Sequence, residues 1–338
     1  MKTQRVLVLV HRDLVPPDDL TGIEDPSKEP WRTEYGVTAT IRKLGHEVRV
    51  LGVYDDLGLI RRTVEEYAPT ILFNLLEEFG GEAVLDQNVV SYIETLGVPH
   101  TGCNPMGLLI ARDKALSKKL LTYHRIRVPQ FQVFPRGQTV RRARSLPFPI
   151  FLKSLVEDAS LGISQQSIVA DEQSLVERVA FIHEKVATHA IGEQYIPGKD
   201  LYVGVIGNDR LKTLPPLELE FTQAEADAPQ IATRRAKFDK AYQQKMGIRT
   251  VVAKLPPEIL SHVHRTTRRI FKILSLNGYA RMDFRITDDH QIYFLEANPN
   301  PELAAGEDFA VSAEKAGLKY KALIERILQL GLAWRGRS

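Results

Sequence analysis

The chain has 338 residues, too many for one small core and enough for two or three packed units separated by clefts. Its 43% hydrophobic and 26% charged content is that of a folded globular protein, which argues against disorder or a fibrous repeat. A formal charge of +3 spread along the chain excludes a dedicated nucleic-acid surface, and the one short basic run, Arg141, Arg142 and Arg144, reads as a solvated loop. The single cysteine, Cys103, cannot form an internal disulfide, and no Cys/His spacing resembles a zinc site, so a reducing, cytoplasmic setting is expected. The apolar run 6–10 is too short for a membrane span and lacks the features of a signal peptide, so no membrane partner is expected.

In chain order, strands are predicted at 5–10, 47–53 and 70–75, alternating with helices near 34–44, 57–67 and 82–96. This alternation gives a parallel sheet covered by helices. A dinucleotide-binding domain has the same outline but needs a G-x-G-x-x-G turn after its first strand. Here that turn reads His11-Arg12-Asp13-Leu14-Val15-Pro16-Pro17, which argues against a nicotinamide enzyme. From about Pro105 the pattern becomes mixed α+β. A helix carries Asp113 and Lys114, strands follow at 130–134 and 149–154, and a glycine loop, strand and helix run through Ala187. The last unit opens with a strand at 192–196 and holds several β-runs, a helix at 257–276, a hairpin at 279–297 and a closing helix at 314–330. Three units are therefore expected, 1–104, 105–190 and 191–338, packed together without a low-complexity linker.

The hairpin is the most informative segment. Alternation along its first strand puts Arg281, Asp283 and Arg285 on one face and Ala280, Met282, Phe284 and Ile286 on the other. A tight loop pairing Ile286 with Gln291 would set Arg281 opposite Glu296, with Asp283 diagonal to it and Asn298 further along the same face. Two carboxylates and an amide oxygen suit a hard divalent cation such as Mg²⁺ that also binds phosphate oxygens, and Arg281 could stabilise developing negative charge. An exposed hairpin with surface ion pairs would give the same residue pattern. Lys153 closes the apolar run 149–153, so its charge should be buried and in need of an anionic partner.

These strings, Ala280-Arg281-Met282-Asp283-Phe284 and Phe294-Leu295-Glu296-Ala297-Asn298, resemble the metal-binding end of D-alanine–D-alanine ligases and related ATP-grasp enzymes. Gly80-Gly81-Glu82, Gln87, Gly97-Val98-Pro99-His100-Thr101-Gly102, Asp113-Lys114, Gly162-Ile163-Ser164, and Glu193 with Gly198-Lys199-Asp200 follow in the family's order. The resemblance implies an α/β and α+β fold of three subdomains, with an N-terminal parallel α/β domain and ATP between the two that follow. It implies ATP and Mg²⁺ or Mn²⁺, two ions, held by Asp283, Glu296 and Asn298. Lys114 and Lys153 would contact the phosphates, Ser160 and Gly162 would lie in the covering glycine loop, and Lys237 would approach the γ-phosphate from a lid around 234–238. Glu193, Gln194, Tyr195 and Ile196 match the segment that reads adenine, and Asp200 stands where the family has a ribose-binding glutamate. Arg281, with Lys237 and Ser160, would carry catalysis, the substrates would be a small-molecule carboxylate and an amine, and a homodimer is implied by the resemblance alone.

The reaction so implied is γ-phosphoryl transfer to a carboxylate, followed by amine attack on the acyl phosphate. Departures from the family cluster around the amino-acid pocket. The segment 11–31 replaces a short loop, Ala159 and Phe238 lack hydroxyls, and Glu302, Glu307 and Asp308 stand where the acceptor's carboxylate would bind. Like charges repel, so an acceptor other than free D-alanine, such as a cationic amine, is expected unless these acids lie on the solvated surface. The competing readings are a strict D-alanine–D-alanine ligase and a nucleotide-binding protein without turnover.

Overall fold

The computed structural model describes residues 2–157, 163–223 and 239–334. Among them no helix is long and apolar enough to cross a membrane. Strand β1 (Arg5–His11) lies between β2 (Glu47–Val53) and β3 (Ile71–Asn74) in a parallel sheet. Val6 to Val10 are fully buried because both faces of this sheet are covered, as a parallel sheet requires. Leu7 and Leu9 pack with Ile60 of helix α2 (Leu57–Tyr67) and with Val89 and Ile93 of α3 (Asp86–Thr95). Val6, Val8 and Val10 face Val37 and Ile41 of α1 (Arg32–Lys43). They also meet Leu323, Ile324 and Ile327 from the end of the chain.

Helices α4 (Pro105–Arg112) and α5 (Lys114–Tyr123) lead into an antiparallel sheet ordered β4 (Phe131–Phe134), β7 (Ala190–Gln194), β5 (Ile150–Ser154) and β6 (Ile168–Val169). Helix α6 (Glu172–Phe181) covers it through Leu175 and Val179. The third sheet runs β11 (Ile248–Val252), β10 (Leu217–Phe221), β8 (Lys199–Ile206), β12 (Tyr279–Ile286) and β13 (Ile292–Pro299), with β9 (Lys212–Thr213) beside β8. Helix α7 (Lys240–Met246) precedes β11, and α8 (Pro257–Ile273) sends Val263, Ile270 and Phe271 onto the apolar side of β12 at Ala280, Met282 and Phe284.

Four expected elements differ in detail. The strand expected at 192–196 to open the last unit is β7, in the middle of the second sheet, and the helix expected to carry Asp113 and Lys114 breaks at Asp113, which caps α5. Residues 83–85 form a 3₁₀ turn ahead of α3. The single closing helix expected at 314–330 is two helices, α9 (Asp308–Lys315) and α10 (Tyr320–Ala333). Gly317 breaks it, because its φ of 81° is the left-handed conformation that ends helices.

A seam of asparagines joins the first sheet's unit to the third. Asn277 Oδ1 accepts from the Asn104 backbone N–H at 2.7 Å, and its amide donates to the Gly102 carbonyl. Asn300 Oδ1 accepts from the Cys103 N–H at 2.8 Å. Gly278, at φ 73°, fits here because a Cβ would stand 2.9 Å from the Gly102 carbonyl oxygen.

Candidate functional site

The charged face of β12–β13 converges as expected, in a different register. Pairing starts at Ile286 with Ile292, because residues 287–291 close the loop, and an irregularity between Asp283 and Phe284 shifts the ladder again. Asp283 therefore stands directly opposite Glu296, and Arg281 opposite Asn298. The sequence reading had Arg281 opposite Glu296; loop length and bulge together correct it, and they bring the two carboxylates face to face.

Arg281 grips Asp283 side-on, Nε donating to Oδ1 at 2.7 Å and Nη2 to Oδ2 at 2.9 Å. Asn298 Nδ2 donates to the same Oδ2 at 3.2 Å. Burial works against the Arg281 charge, yet Asp283 outweighs it and holds the guanidinium above its ordinary value. The Arg281 guanidinium also lies 5.1 Å from the Tyr202 ring centroid, while burial pushes the Tyr202 hydroxyl well up. Two residues on, Arg285 donates to Asp200 Oδ1 at 2.8 Å and to the Ile196 carbonyl at 3.0 Å.

Glu296 reaches across to the middle sheet. Lys153, at 6% exposure, has its Nζ 3.3 Å from Glu296 Oε2 and 3.3 Å from Glu193 Oε1. The anionic partner demanded by a charged residue on an apolar strand is thus a pair of carboxylates. Burial disfavours the Lys153 ammonium, but Glu193 and Glu296 together hold it above the ordinary lysine value. Lys114 is equally buried. It opens α5, whose cap Asp113 accepts from the N–H groups of Ala115 and Leu116, and its Nζ donates to the Glu157 carbonyl and lies 4.0 Å from Glu296.

Sequence reasoning missed Lys118. One turn beyond Lys114 and fully buried, it sits 3.0 Å from Glu193 Oε1 and donates to the Leu295 carbonyl in the bulge before Glu296. Burial pushes its ammonium down to about 8 despite Glu193. The available signal was a lysine at an apolar helical spacing, between Ala115 and Leu121. Glu193, expected to accept from an adenine amine, has its carboxylate between Lys118 and Lys153. Asp200, expected at a ribose, is the partner of Arg285.

These groups line a cleft between the second and third sheets. Its wall includes Lys153, Glu193, Gln194, Tyr195, Ile196, Asp200, Asp283 and Glu296, with Phe151, Ile163, Phe284 and Leu295 as the apolar part. Lys114 and Arg281 adjoin it through Glu296 and Asp283. Ser160, Gly162 and Lys237, and with them Ala159 and the segment 234–238, lie outside the described residues. No group of three or more His, Cys, Asp or Glu able to hold a metal occurs among the described residues, so the candidate donor set is two carboxylates and one amide. All three supply hard oxygen ligands, the chemistry Mg²⁺ and Mn²⁺ favour.

The acidic loop after Asn298 has partners. Arg32 Nη2 donates to Glu302 Oε1 at 2.9 Å and to Glu307 Oε1 at 2.7 Å, and Thr33 Oγ1 donates to Glu302 at 3.1 Å. Asp308 accepts from Thr250 Oγ1 at 3.1 Å. Nothing in the local sequence announces the Arg32 contact, which spans 270 residues.

The chain is similar to known proteins in sequence and in fold. The family model described as D-ala D-ala ligase C-terminus matches residues 120–329. The chain is 30% identical to the uncharacterized protein y4sG of Sinorhizobium fredii, over 89% of each. It is also 30% identical to a D-alanine–D-alanine ligase of Nitratidesulfovibrio vulgaris, over 89% of this chain and 93% of that one. Among solved structures, D-alanine–D-alanine ligase from Bacillus anthracis complexed with ATP superposes with a TM-score of 0.76 at 21% identity, covering 98% of both chains. The VanG D-Ala:D-Ser ligase from Enterococcus faecalis gives 0.69 at 17% identity, covering 98% of this chain and all of that one.

Proposed function

Since this chain belongs to the D-alanine–D-alanine ligase family of ATP-grasp, ADP-forming carboxylate–amine ligases, we propose that its cleft transfers the γ-phosphoryl group of ATP to a substrate carboxylate and that an amine then displaces phosphate. The observation that carries this reading is Asp283 opposite Glu296 with Lys114, Lys153 and Arg281 around them. Asp283, Glu296 and the Asn298 amide oxygen would hold one or two Mg²⁺ or Mn²⁺ ions, which neutralise phosphate charge when bound.

The side chains have capacity to spare for substrate. An ammonium has three donors, and Lys153 divides two between Glu193 and Glu296, which leaves one for a phosphate oxygen. Arg281 has five N–H donors and spends two on Asp283, so the rest of its fork can meet an oxyanion. Lys118 keeps Glu193 from drawing Lys153 wholly to itself. By the family resemblance, Ser160, Gly162 and Lys237 belong to the loop and lid that exclude water from the acyl phosphate.

For the acceptor, Glu302, Glu307 and Asp308 favour an amine other than free D-alanine. A strict D-alanine–D-alanine ligase is the second reading, favoured by Arg32, which offsets part of that negative charge. The test is to incubate the protein with ATP, Mg²⁺ and pooled amino acids, follow ADP, and identify condensed products by mass spectrometry. ADP release that needs both carboxylate and amine supports the ligase. AMP with pyrophosphate, or nucleotide binding with no substrate-stimulated ADP, overturns it, and D-alanyl-D-alanine as the preferred product selects the second reading.

A further inference from the structure

We propose that Arg285 is a positioning residue for the nucleotide, holding Asp200 and the segment 195–196 in one fork so that the cleft accepts ribose and rejects deoxyribose. The inference rests on the cleft being an ATP site and adds a determinant of which nucleotide it takes.

Along the charged face of β12, Arg281 and Asp283 belong to the reacting centre, whereas Arg285 has no part in the transfer. It is nonetheless only 3% exposed, and it lines the cleft beside Tyr195, Ile196 and Asp200. Strand register sets it directly opposite Asp200 of β8. Each nitrogen of its guanidinium has a separate task. Nη1 donates to Asp200 Oδ1 at 2.8 Å, Nε to the Ile196 carbonyl at 3.0 Å, and Nη2 to the Tyr195 hydroxyl at 3.3 Å.

Those partners come from both walls of the cleft. Tyr195 and Ile196 continue β7 of the second sheet, where the Gln194 and Tyr195 N–H groups donate to the carbonyls of Gln130 and Pro149. Asp200 belongs to β8 of the third sheet. Between them Gly198, at φ 135°, runs so close to the end of β12 that a Cβ would stand 2.1 Å from the Ile286 carbonyl oxygen. Glycine and guanidinium together clamp the segment 196–199 onto β12, and a planar fork fixes a carboxylate relative to a stretch of backbone.

A buried ion pair is weak evidence for stability, because an apolar pair of similar volume commonly holds a core as well. In a ligand cleft such groups give selectivity instead, since a site built to bond a hydroxyl rejects the analogue that lacks it. Arg285 stands two residues, about 7 Å, along the strand beyond Asp283, on the side of Tyr195 and Ile196, away from the phosphates. Asp200 accepts one bond from Arg285, and a carboxylate has acceptor positions for more, so it has the capacity to meet a sugar hydroxyl. Aspartate is one methylene shorter than the glutamate that the family resemblance places here, and the fork offsets this by fixing the direction of the carboxylate.

Calorimetric titration with Mg²⁺ and ATP, 2′-deoxyATP or 3′-deoxyATP tests this without knowledge of the amino-acid substrates. At least one deoxynucleotide should bind about tenfold or more weakly than ATP, the loss of one hydrogen bond to a charged group. Arg285→Met should bring that ratio below about threefold, because Asp200 then loses its fixed direction. The paired change Arg285→Met with Asp200→Leu strands no buried charge, so it decides the matter even if Arg285→Met folds poorly. It should bind ATP and both deoxynucleotides within about twofold of one another. A guanidinium that only braces the fold would, on removal, weaken all three nucleotides by one common factor. A ratio unchanged in the variants, or a wild type that binds all three alike, overturns the inference and leaves the ligase intact. A wild type that binds none of them overturns the ATP reading and this inference with it.

Discussion

Replacing Lys118 with methionine should separate the stability of the cleft from its use of ATP. Lys118 is fully buried, and its ammonium is lowered from the ordinary 10.5 to about 8, burial outweighing Glu193. At about 1.4 kcal/mol per unit, keeping that charge in place costs roughly 3 kcal/mol. Methionine, of similar length, removes this cost, in which the attraction of Glu193 is already counted, together with the bond to the Leu295 carbonyl. That lost bond is of comparable size, since one hydrogen bond to a charged group contributes about 1.5–3 kcal/mol. The expected net change in stability at pH 7 is therefore within about 2 kcal/mol. The effect on ATP should be larger, because Glu193 would then pull on Lys153 alone and draw it from Glu296, raising KM for ATP by about tenfold, or ~1.4 kcal/mol. The sign of the pH effect follows from a folded value below the unfolded one. The penalty is present below pH 8 and is relieved as pH rises from 8 to 10.5, so the wild-type protein should gain on Lys118→Met across that window. Urea midpoints at pH 7.5 and 10, with ATP titrations of ADP release, measure both quantities. A variant that loses more than about 4 kcal/mol at pH 7, or that binds ATP like the wild type, would refute the reasoning.

Glu296→Gln should lower ADP formation by about 100-fold while leaving the fold intact, since Lys153 keeps Glu193; steady-state assays and melting curves check both halves. Asp200→Asn strands the buried Arg285, so a loss of about 3 kcal/mol is expected in urea unfolding, with weaker ATP binding. Glu34→Gln should be more stable than the wild type at pH 7.5, by about 1 kcal/mol, because it removes a charge that burial penalises and whose Oε2 meets no donor among the described residues. Its carboxyl is raised in the folded state, so the penalty grows as pH rises above the ordinary carboxylate range, and the two proteins should converge near pH 4 in thermal melts.

The first sheet was legible because its signals are local. The unbroken apolar run of β1 and the period-3.6 burial along α2 can be counted from residue types, and β2 and α2 fall on the predicted residues. Lys153 was legible for a related reason, a charge on an apolar strand. Lys118 was passed over because a lysine in a helix ordinarily points to water, and only tertiary packing reverses that. The hairpin face was right and its register wrong, since neither the five-residue loop nor the bulge at the Asp283/Phe284 step leaves a mark in side-chain type. Gly317 did leave one and was read through, at the cost of merging α9 with α10. The Arg32 contact with Glu302 joins distant segments, so one sequence holds no trace of it.

The order of synthesis gives the final helix an importance beyond its length. Val6, Val8, Val10, Ile71 and Phe73 present an apolar surface that is sealed in part by Leu323, Ile324, Ile327 and Leu328. A ribosome delivers those two halves about 250 residues apart, which at roughly 5–20 residues per second leaves the early strands waiting some tens of seconds for their cover. Nascent chains stalled before residue 320 should therefore hold a chaperone at their N-terminal end, and release should coincide with the emergence of α10.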